Sequence, residues 1–376
     1  MALIGIYSDV HISRSSSILP LYLNETDIYT TRLQMCSDSI NFANNLFKEK
    51  NVNLIVNCGD TFNSHTVTAD ELSTYVNTVK NKPKGLVEEL TLVGNHDKFN
   101  NTFDSMCISS IPAISSYYYY ELYDYDCYLI GYYDTQEFYK VIEEMLEKEP
   151  KRHKKSILFM HGDINGSYLS GIKRIEGQIG KEYLLDNFDI IFNGHIHCNE
   201  VLYDKDNKKI INIGSLTSHS FADSNYHIGA CYIFDTDKLL LQQYVNPCQI
   251  MFRTIQINNI SDIKKIQKED DKAHELLGNT DKSIQQRYEK NLIIKIKCPY
   301  SLKEEIEKQL IQCSQILKYK LIFEYDVELK KETSNNNQSI QTYNIEDDFL
   351  SFLSQQDLKN SIEEYEKLIQ ESINLK

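Results

Sequence analysis

Short apolar runs recur through the first 250 residues, separated by stretches whose apolar positions fall every three or four residues. The runs LIGIYSDV, VNLIVNCGD, EELTLVGNHD, SILFMHGD, DIIFNGHIH, IINIGSL, HIGACYIFD and LLLQQYV have the length and β-branched content of buried strands. Helical spacing predicts helices at about 29 to 50, 69 to 81, 136 to 148 and 180 to 187. Buried strands alternating with helices imply an α/β domain whose sheets are covered by helices.

The texture changes after Met251. FRTIQINNI, NLIIKIKCPY and KYKLIFEYDVEL predict strands and SLKEEIEKQLIQCS a helix, giving an α+β module over residues 251 to 330. Of the fourteen glycines only Gly278 follows Gly229, which marks the same boundary. Residues 331 to 344 are polar and read as a linker. In residues 345 to 376, Phe349, Leu350, Phe352, Leu353, Leu358, Ile362, Tyr365, Leu368 and Ile369 fall at helical spacing, predicting two short helices. Beyond a polar linker their apolar face suits a partner protein, the competing reading being a helix pair packed on its own domain. The tyrosine-rich stretch at 115 to 134 predicts a half-buried hairpin ahead of a base-stacking surface.

Composition narrows the function classes. Hydrophobic content of 41% and charged content of 25% are globular values, and no apolar run is long enough to span a bilayer. The N-terminus MALIGIYSDVHIS lacks a basic leader and a cleavage site, so the expected location is the cytosol. Nine cysteines without a CxxC pair imply reduced core thiols. A formal charge of -14 argues against holding nucleic acid by a whole-surface field. The basic run KRHKK at 151 to 155 is expected to be a solvated face more than a phosphate contact.

Five strand-like runs end in polar clusters: Asp9 and His11; Asp60; Asn95, His96 and Asp97; His161; His195 and His197. Groups at the carboxyl ends of neighbouring strands gather at one sheet edge. Histidines at i and i+2 of an extended segment point the same way, so His195 and His197 converge. Two aspartates, one asparagine and four histidines exceed the ligands of a single zinc, and mixed oxygen and nitrogen donors suit Mn, Fe or Zn. Two ions accommodate them, with Asp60, alone in its loop, as candidate bridge. Such a pair lowers the pKa of a shared water and clamps a phosphoryl oxygen, so the expected chemistry is phosphoester hydrolysis. His219, in NIGSLTSHSF, is a candidate substrate contact.

The order D-x-H, G-D, G-N-H-D, H, G-H-x-H resembles the calcineurin-like metallophosphoesterase superfamily over roughly residues 1 to 250. Asp9-Val10-His11, the GDTFNS loop, NIGSLTSHSF and the appended module with its tail look most like SbcD-type DNA repair nucleases and their phage recombination counterparts. The resemblance implies an α/β fold, a two-sheet sandwich flanked by helices, with a smaller α+β capping domain and a C-terminal helical tail. It implies that Asp9, His11, Asp60 and His197 hold one ion, that Asp60, Asn95, His161 and His195 hold the other, and that the metal is manganese. His96 would protonate the departing sugar oxygen or steady the phosphorane, with Asp97 orienting its ring. Family nucleases often carry a histidine three residues after the bridging aspartate; Asn63 stands there, with His65 two residues on, and both are candidate substrate contacts. Expected partners are DNA ends, an SbcC-type ATPase docked through residues 345 to 376, and a second copy of the chain, as a homodimer within a heterotetramer. The implied setting is a bacterial cytosol or a phage-infected cell, with no membrane.

Two other readings use the same residues. A small-molecule phosphomonoesterase or cyclic-nucleotide phosphodiesterase would leave the chain beyond residue 250 without an obvious task. A non-catalytic scaffold on a degenerate fold would lack ligands or His96, and none is missing.

Overall fold

Two sheets with apolar facing surfaces form the core of the computed structural model. It describes residues 2–326 except 15, 17–18, 20–26, 28, 100–111, 154, 170–172, 177–178, 222–227, 279–281, 289–291 and 315–319. The predicted linker and tail lie outside the described residues; the chain divides into Met1–Glu328 and Leu329–Lys376.

In chain order the first half runs β1 (Leu3–Tyr7), α1 (Thr31–Glu49), β2 (Leu54–Asn57), α2 (Ala69–Lys80), β3 (Glu89–Thr91), β4 (Tyr117–Leu122), β5 (Tyr125–Ile130) and α3 (Thr135–Lys148). There follow β6 (Lys155–Met160), β7 (Tyr168–Leu169), β8 (Lys173–Arg174), α4 (Lys181–Asn187), β9 (Ile190–Asn193), β10 (Glu200–Lys205), β11 (Lys208–Asn212), β12 (Ala230–Asp235) and β13 (Leu240–Val245). One sheet has the order β13-β12-β1-β2-β3 and the other β10-β11-β9-β6-β5-β4. Ile4, Ile6, Leu54 and Val56 meet Phe159, Ile190 and Phe192 between them, and the rings of Phe192 and Phe234 touch edge-on at 5.1 Å across the sandwich. Each such side chain withdrawn from water contributes roughly 1.5–3 kcal/mol.

Helices cover both outer faces. Thr30 caps α1 by accepting from Leu33 N, and Leu33, Cys36, Ile40, Ala43 and Phe47 then fall on one helix face against the first sheet. Phe138, Val141, Ile142 and Met145 of α3 do the same on the second sheet, behind an Asp134 cap. The α/β fold with two sheets and covering helices is therefore the one expected. Among the described residues seven cysteines are buried as free thiols. No helix among the described residues is long and apolar enough to cross a membrane.

The tyrosine run forms the β4–β5 hairpin, Tyr125 and Tyr128 buried and Tyr118 exposed. Next to it, the basic run is tied down: Asp126 accepts from the backbone of Arg152 and His153, and Glu121 pairs with both side chains.

Beyond Met251 lie β14 (Met251–Gln256), α5 (Lys264–Gly278), α6 (Lys282–Arg287), β15 (Leu292–Pro299), α7 (Lys303–Ser314) and β16 (Lys320–Asp326). The three strands run parallel in the order β14-β15-β16, with Ile255, Ile266, Ile294, Ile296 and Ile306 as their own core. Sequence pattern misses α5 and α6, whose residues are mostly charged or polar. This sheet packs on α1 through Met35, Phe252, Tyr288 and Ile293, and Tyr288 Oη donates to Asp38 Oδ2 at 2.9 Å.

Candidate metal centre

β1, β2 and β3 run parallel to one another in one sheet, and β6 and β9 in the other, so the loops that follow them meet at one end of the sandwich. The ladder continues into the loops: Asp9 N donates to Gly59 O (2.9 Å), His11 N to Asp60 O (3.0 Å) and Ile12 N to Thr61 O (2.8 Å). Asp9, His11, Asp60 and His195 all take positive φ, at 52°, 49°, 51° and 70°. Left-handed backbone at non-glycine residues costs about 1–3 kcal/mol each and clusters at functional sites. Here it turns ligand side chains inward. Gly94 fits beside them because a Cβ there would collide with Asp60 Oδ1.

Two clusters form around Asp60. On one side, His11 Nε2 lies 3.1 Å from His197 Nε2, 3.8 Å from Asp9 Oδ1 and 3.5 Å from Asp60 Oδ2, while His197 Nε2 is 3.9 Å from Asp9 Oδ1. On the other, Asn95 Oδ1 lies 3.0 Å from His161 Nε2 and 2.8 Å from His195 Nδ1, and His161 Nε2 is 3.5 Å from Asp60 Oδ2. One oxygen, Asp60 Oδ2, thus faces both. His161 and Asp9 are completely buried, Asp60 and His11 almost so.

The donor set fits two divalent ions. Asp9 Oδ1 is buried with no hydrogen-bond partner, an expensive state for a carboxylate oxygen unless a cation meets it. Its other oxygen accepts from His195 N at 3.1 Å, which aims Oδ1 at the His11–His197 pair. Cys58 O accepts from His161 Nδ1 at 2.7 Å, leaving Nε2 toward the site, the usual way a ligand imidazole is oriented. Burial works against charge on His161, but Asp60 outweighs it and pushes this imidazole up to about 9. Burial likewise opposes ionisation of Asp60, yet His161 and His11 hold it well below the usual carboxylate range.

The calcineurin-like phosphoesterase family model matches residues 2–199, a span holding every one of these ligands. The chain belongs to the calcineurin-like phosphoesterases. No curated protein matches its sequence. Similar solved structures include a dimetal phosphatase from Danio rerio at 13% identity, covering 62% of this chain and 91% of that one with a TM-score of 0.42. An archaeal phosphodiesterase is similar at 16% identity, 65% and 99% coverage and a TM-score of 0.31. The purple acid phosphatase PPD1 from yellow lupin (Lupinus luteus) seeds is similar at 16% identity, 54% and 39% coverage and a TM-score of 0.35.

In this calcineurin-like phosphoesterase His96 is an exposed side chain at the edge of the His11 cluster, a ring nitrogen within 4.8 Å of ligand atoms of His11 and Asp60 and its ring 4.8 Å from that of His11. Its Nδ1 donates to Asn63 O at 2.9 Å and its backbone N to Asp60 Oδ1 at 2.9 Å. The expected orientation of this ring by Asp97 is corrected: Asp97 accepts from Thr61 N, Phe62 N and Gly94 N at 2.9–3.2 Å, so it ties the loops together. Burial and the nearby Asp60 charge push the Asp97 carboxyl up to about 7. Asn63 contributes through its carbonyl. His65 packs edge-on against Phe99 at 5.0 Å and is in none of the possible metal groups among the described residues.

His219 lies near His11 and His197, but both of its ring nitrogens are committed. Nδ1 accepts from Arg32 at 2.5 Å and Nε2 donates to Asp9 O at 2.9 Å. Its expected substrate contact gives way to a supporting role. Burial, then the Arg32 charge, keep the imidazole well below its ordinary pKa and neutral. Three residues outside the sequence motifs shape the centre. Arg32 clamps the Asp9–His11 loop, Asp163 meets His195, and the Tyr132 ring lies 6.1 Å from that of His161 and 5.8 Å from that of His195.

Proposed function

We propose that this phosphoesterase is the manganese-dependent nuclease subunit of an SbcC-SbcD-type repair or recombination complex, hydrolysing DNA phosphodiesters as an exonuclease and endonuclease. The observation that carries the reaction class is Asp60 Oδ2, at 3.5 Å from both His11 Nε2 and His161 Nε2. Two divalent ions bound there supply an acidified water and an electrophilic clamp on phosphoryl oxygens.

The chain's own residues supply the rest. Asp9, His11, Asp60 and His197 would hold one ion and Asp60, Asn95, His161 and His195 the other. His96 keeps Nδ1–H on the Asn63 carbonyl, so Nε2 is the nitrogen that exchanges a proton. Exposed beside Asp60, it delivers that proton to the departing sugar oxygen.

The DNA assignment is supported by the motif order and by the three-stranded module packed on α1, which a small substrate gives no reason for. Residues 1–250 then form the nuclease domain and 251–330 the capping domain, with a linker at 331–344. Residues 345–376 dock an SbcC-type ATPase, and two copies pair within a heterotetramer. With a net charge of -14 the chain does not hold DNA by its own field, so the ATPase supplies much of the grip.

The test is cleavage of labelled linear DNA and of bis(p-nitrophenyl) phosphate, with Mn, by wild type and His96→Ala, with and without an SbcC-type ATPase. Loss of both activities in the variant is the expected result. Cleavage of the small ester alone, even with the ATPase, would overturn the nuclease assignment and favour a small-molecule phosphodiesterase.

A further inference from the structure

His195 presents two different edges to two different partners. Its Nδ1 lies 2.8 Å from Asn95 Oδ1, within the cluster that includes His161, while Nε2 on the far side of the ring lies 3.0 Å from Asp163 Oδ1. A carboxylate bound to Nε2 accepts a hydrogen from it, and a neutral ring then leaves Nδ1 as a lone pair. Asp163 is itself held from both sides. The buried Asn193, two residues before His195, clamps Gly162 twice: Oδ1 accepts from Gly162 N at 3.0 Å and Nδ2 donates to Gly162 O at 2.9 Å. Past Asp163, Ile164 pairs with the buried Ile179, and Asp163 O accepts from Ile179 N at 2.9 Å. Asn193 Nδ2 also donates to Asn212 Oδ1, and Asn212 Nδ2 to Ser167 Oγ, so a buried polar chain fixes the segment. Five hydrogen bonds thus fix the backbone on both sides of Asp163, whose half-buried carboxylate meets one imidazole edge, the side chains being 28% and 18% exposed.

We infer that Asp163 is a positioning residue for the second ion: it fixes the tautomer and ring angle of His195 so that Nδ1 faces the metal. The carboxylate is not itself a ligand, since it binds the ring edge opposite the one facing Asn95. This rests on the reading of the centre as dinuclear. Partners that orient a ligand imidazole change metal affinity by roughly 10–100-fold when removed. Loss of Asp163 therefore weakens one ion and spares the other, because His11, His197 and Asp9 lie on the opposite side of Asp60.

The test is titration of metal-free full-length protein with Mn, read by calorimetry and by bound-metal content, for wild type, Asp163→Ala and Asp163→Asn. Wild type is expected to bind two ions. Asp163→Ala should keep one at wild-type affinity and bind the other about 10–100-fold more weakly. Asp163→Asn, which retains an acceptor oxygen, should recover most of that loss. The thermal midpoint of the metal-free variants should match wild type, which a merely structural role would not allow. Two ions bound by Asp163→Ala with unchanged affinities, equal weakening of both, or an Asn variant as damaged as Ala would each overturn the inference. A wild type binding only one ion would instead remove the dinuclear reading on which it stands.

Discussion

Arg32 reaches from the first turn of α1 to His219, its Nη2 2.5 Å from Nδ1, and both side chains close on the loop that carries Asp9 and His11. The same guanidinium donates to Val10 O at 2.9 Å, His11 O at 3.2 Å and Ser218 O at 3.1 Å, while His219 donates to Asp9 O. A buried planar donor fork thus holds in place the loop strained by Asp9 and His11 at positive φ. Arg32→Met removes the guanidinium from His11 O and Ser218 O, while Val10 O keeps Thr217 Oγ1 at 3.2 Å, at about 1–3 kcal/mol for each buried group left unpaired. The expected outcome is a destabilisation of at least about 2 kcal/mol in urea unfolding, with weaker binding at the ion served by Asp9. Arg32→Lys should not restore either, because one ammonium cannot serve acceptors spread over two loops. Wild-type stability in Arg32→Met would contradict this account.

The gathering of the candidate ligands was legible in the sequence because each closes a strand-like run, and a run of buried strands dictates where its ends go. Asp60 shows this best: its loop offered one carboxylate, and that carboxylate faces both clusters. Arg32 had no such signal. Its role exists only once α1 packs on the first sheet and brings a mid-pattern helix residue beside residues 217 to 219. Asp163 had a weak one, two residues after His161, but nothing in HGD says that its partner lies on β9's loop. The Asp97 misassignment has the same origin: proximity along GNHD suggested its neighbour's ring, whereas the tight turn delivers its oxygens to three backbone amides. Helices α5 and α6 escaped because they carry few apolar residues, Ile266 among them.

His96 should separate turnover from metal binding. It is exposed at the edge of the His11 cluster, and its Nδ1 is committed to the Asn63 carbonyl. His96→Ala is therefore expected to bind two ions with unchanged affinity while kcat falls by roughly 10²–10⁴-fold, the range for a lost general acid. Loss of an ion in this variant would make His96 a ligand instead.

The two histidines of GHIH should part company when each is removed. His197 Nε2 sits 3.1 Å from His11 Nε2, and His195 Nδ1 sits 2.8 Å from Asn95 Oδ1. His197→Ala and His195→Ala should each lower the affinity for one ion; Asp9→Ala added to His197→Ala should leave the second ion bound, whereas added to His195→Ala it should leave both weakened. Asp60→Ala should weaken both. Stepwise Co(2+) titration followed by absorption distinguishes the sites; identical titrations for the two histidine variants would refute the division.

Metal uptake should expel a proton from His161. In the metal-free protein Asp60 outweighs burial and holds this imidazole at about 9, above its ordinary value of 6.5. The sign follows: the raised value stabilises the metal-free fold fully below pH 6.5, and that contribution is lost as pH rises through about 9. A cation binding Nε2 needs the deprotonated ring, so it competes with that proton and its affinity rises over the same window. Calorimetric titration at pH 7 in buffers of different ionisation enthalpy should give a slope of about one released proton per centre filled. That slope should fall toward zero above pH 10, where His161 is already neutral. A zero slope at pH 7, or an affinity that falls as pH rises from 7 to 9, would contradict a protonated His161 facing Asp60.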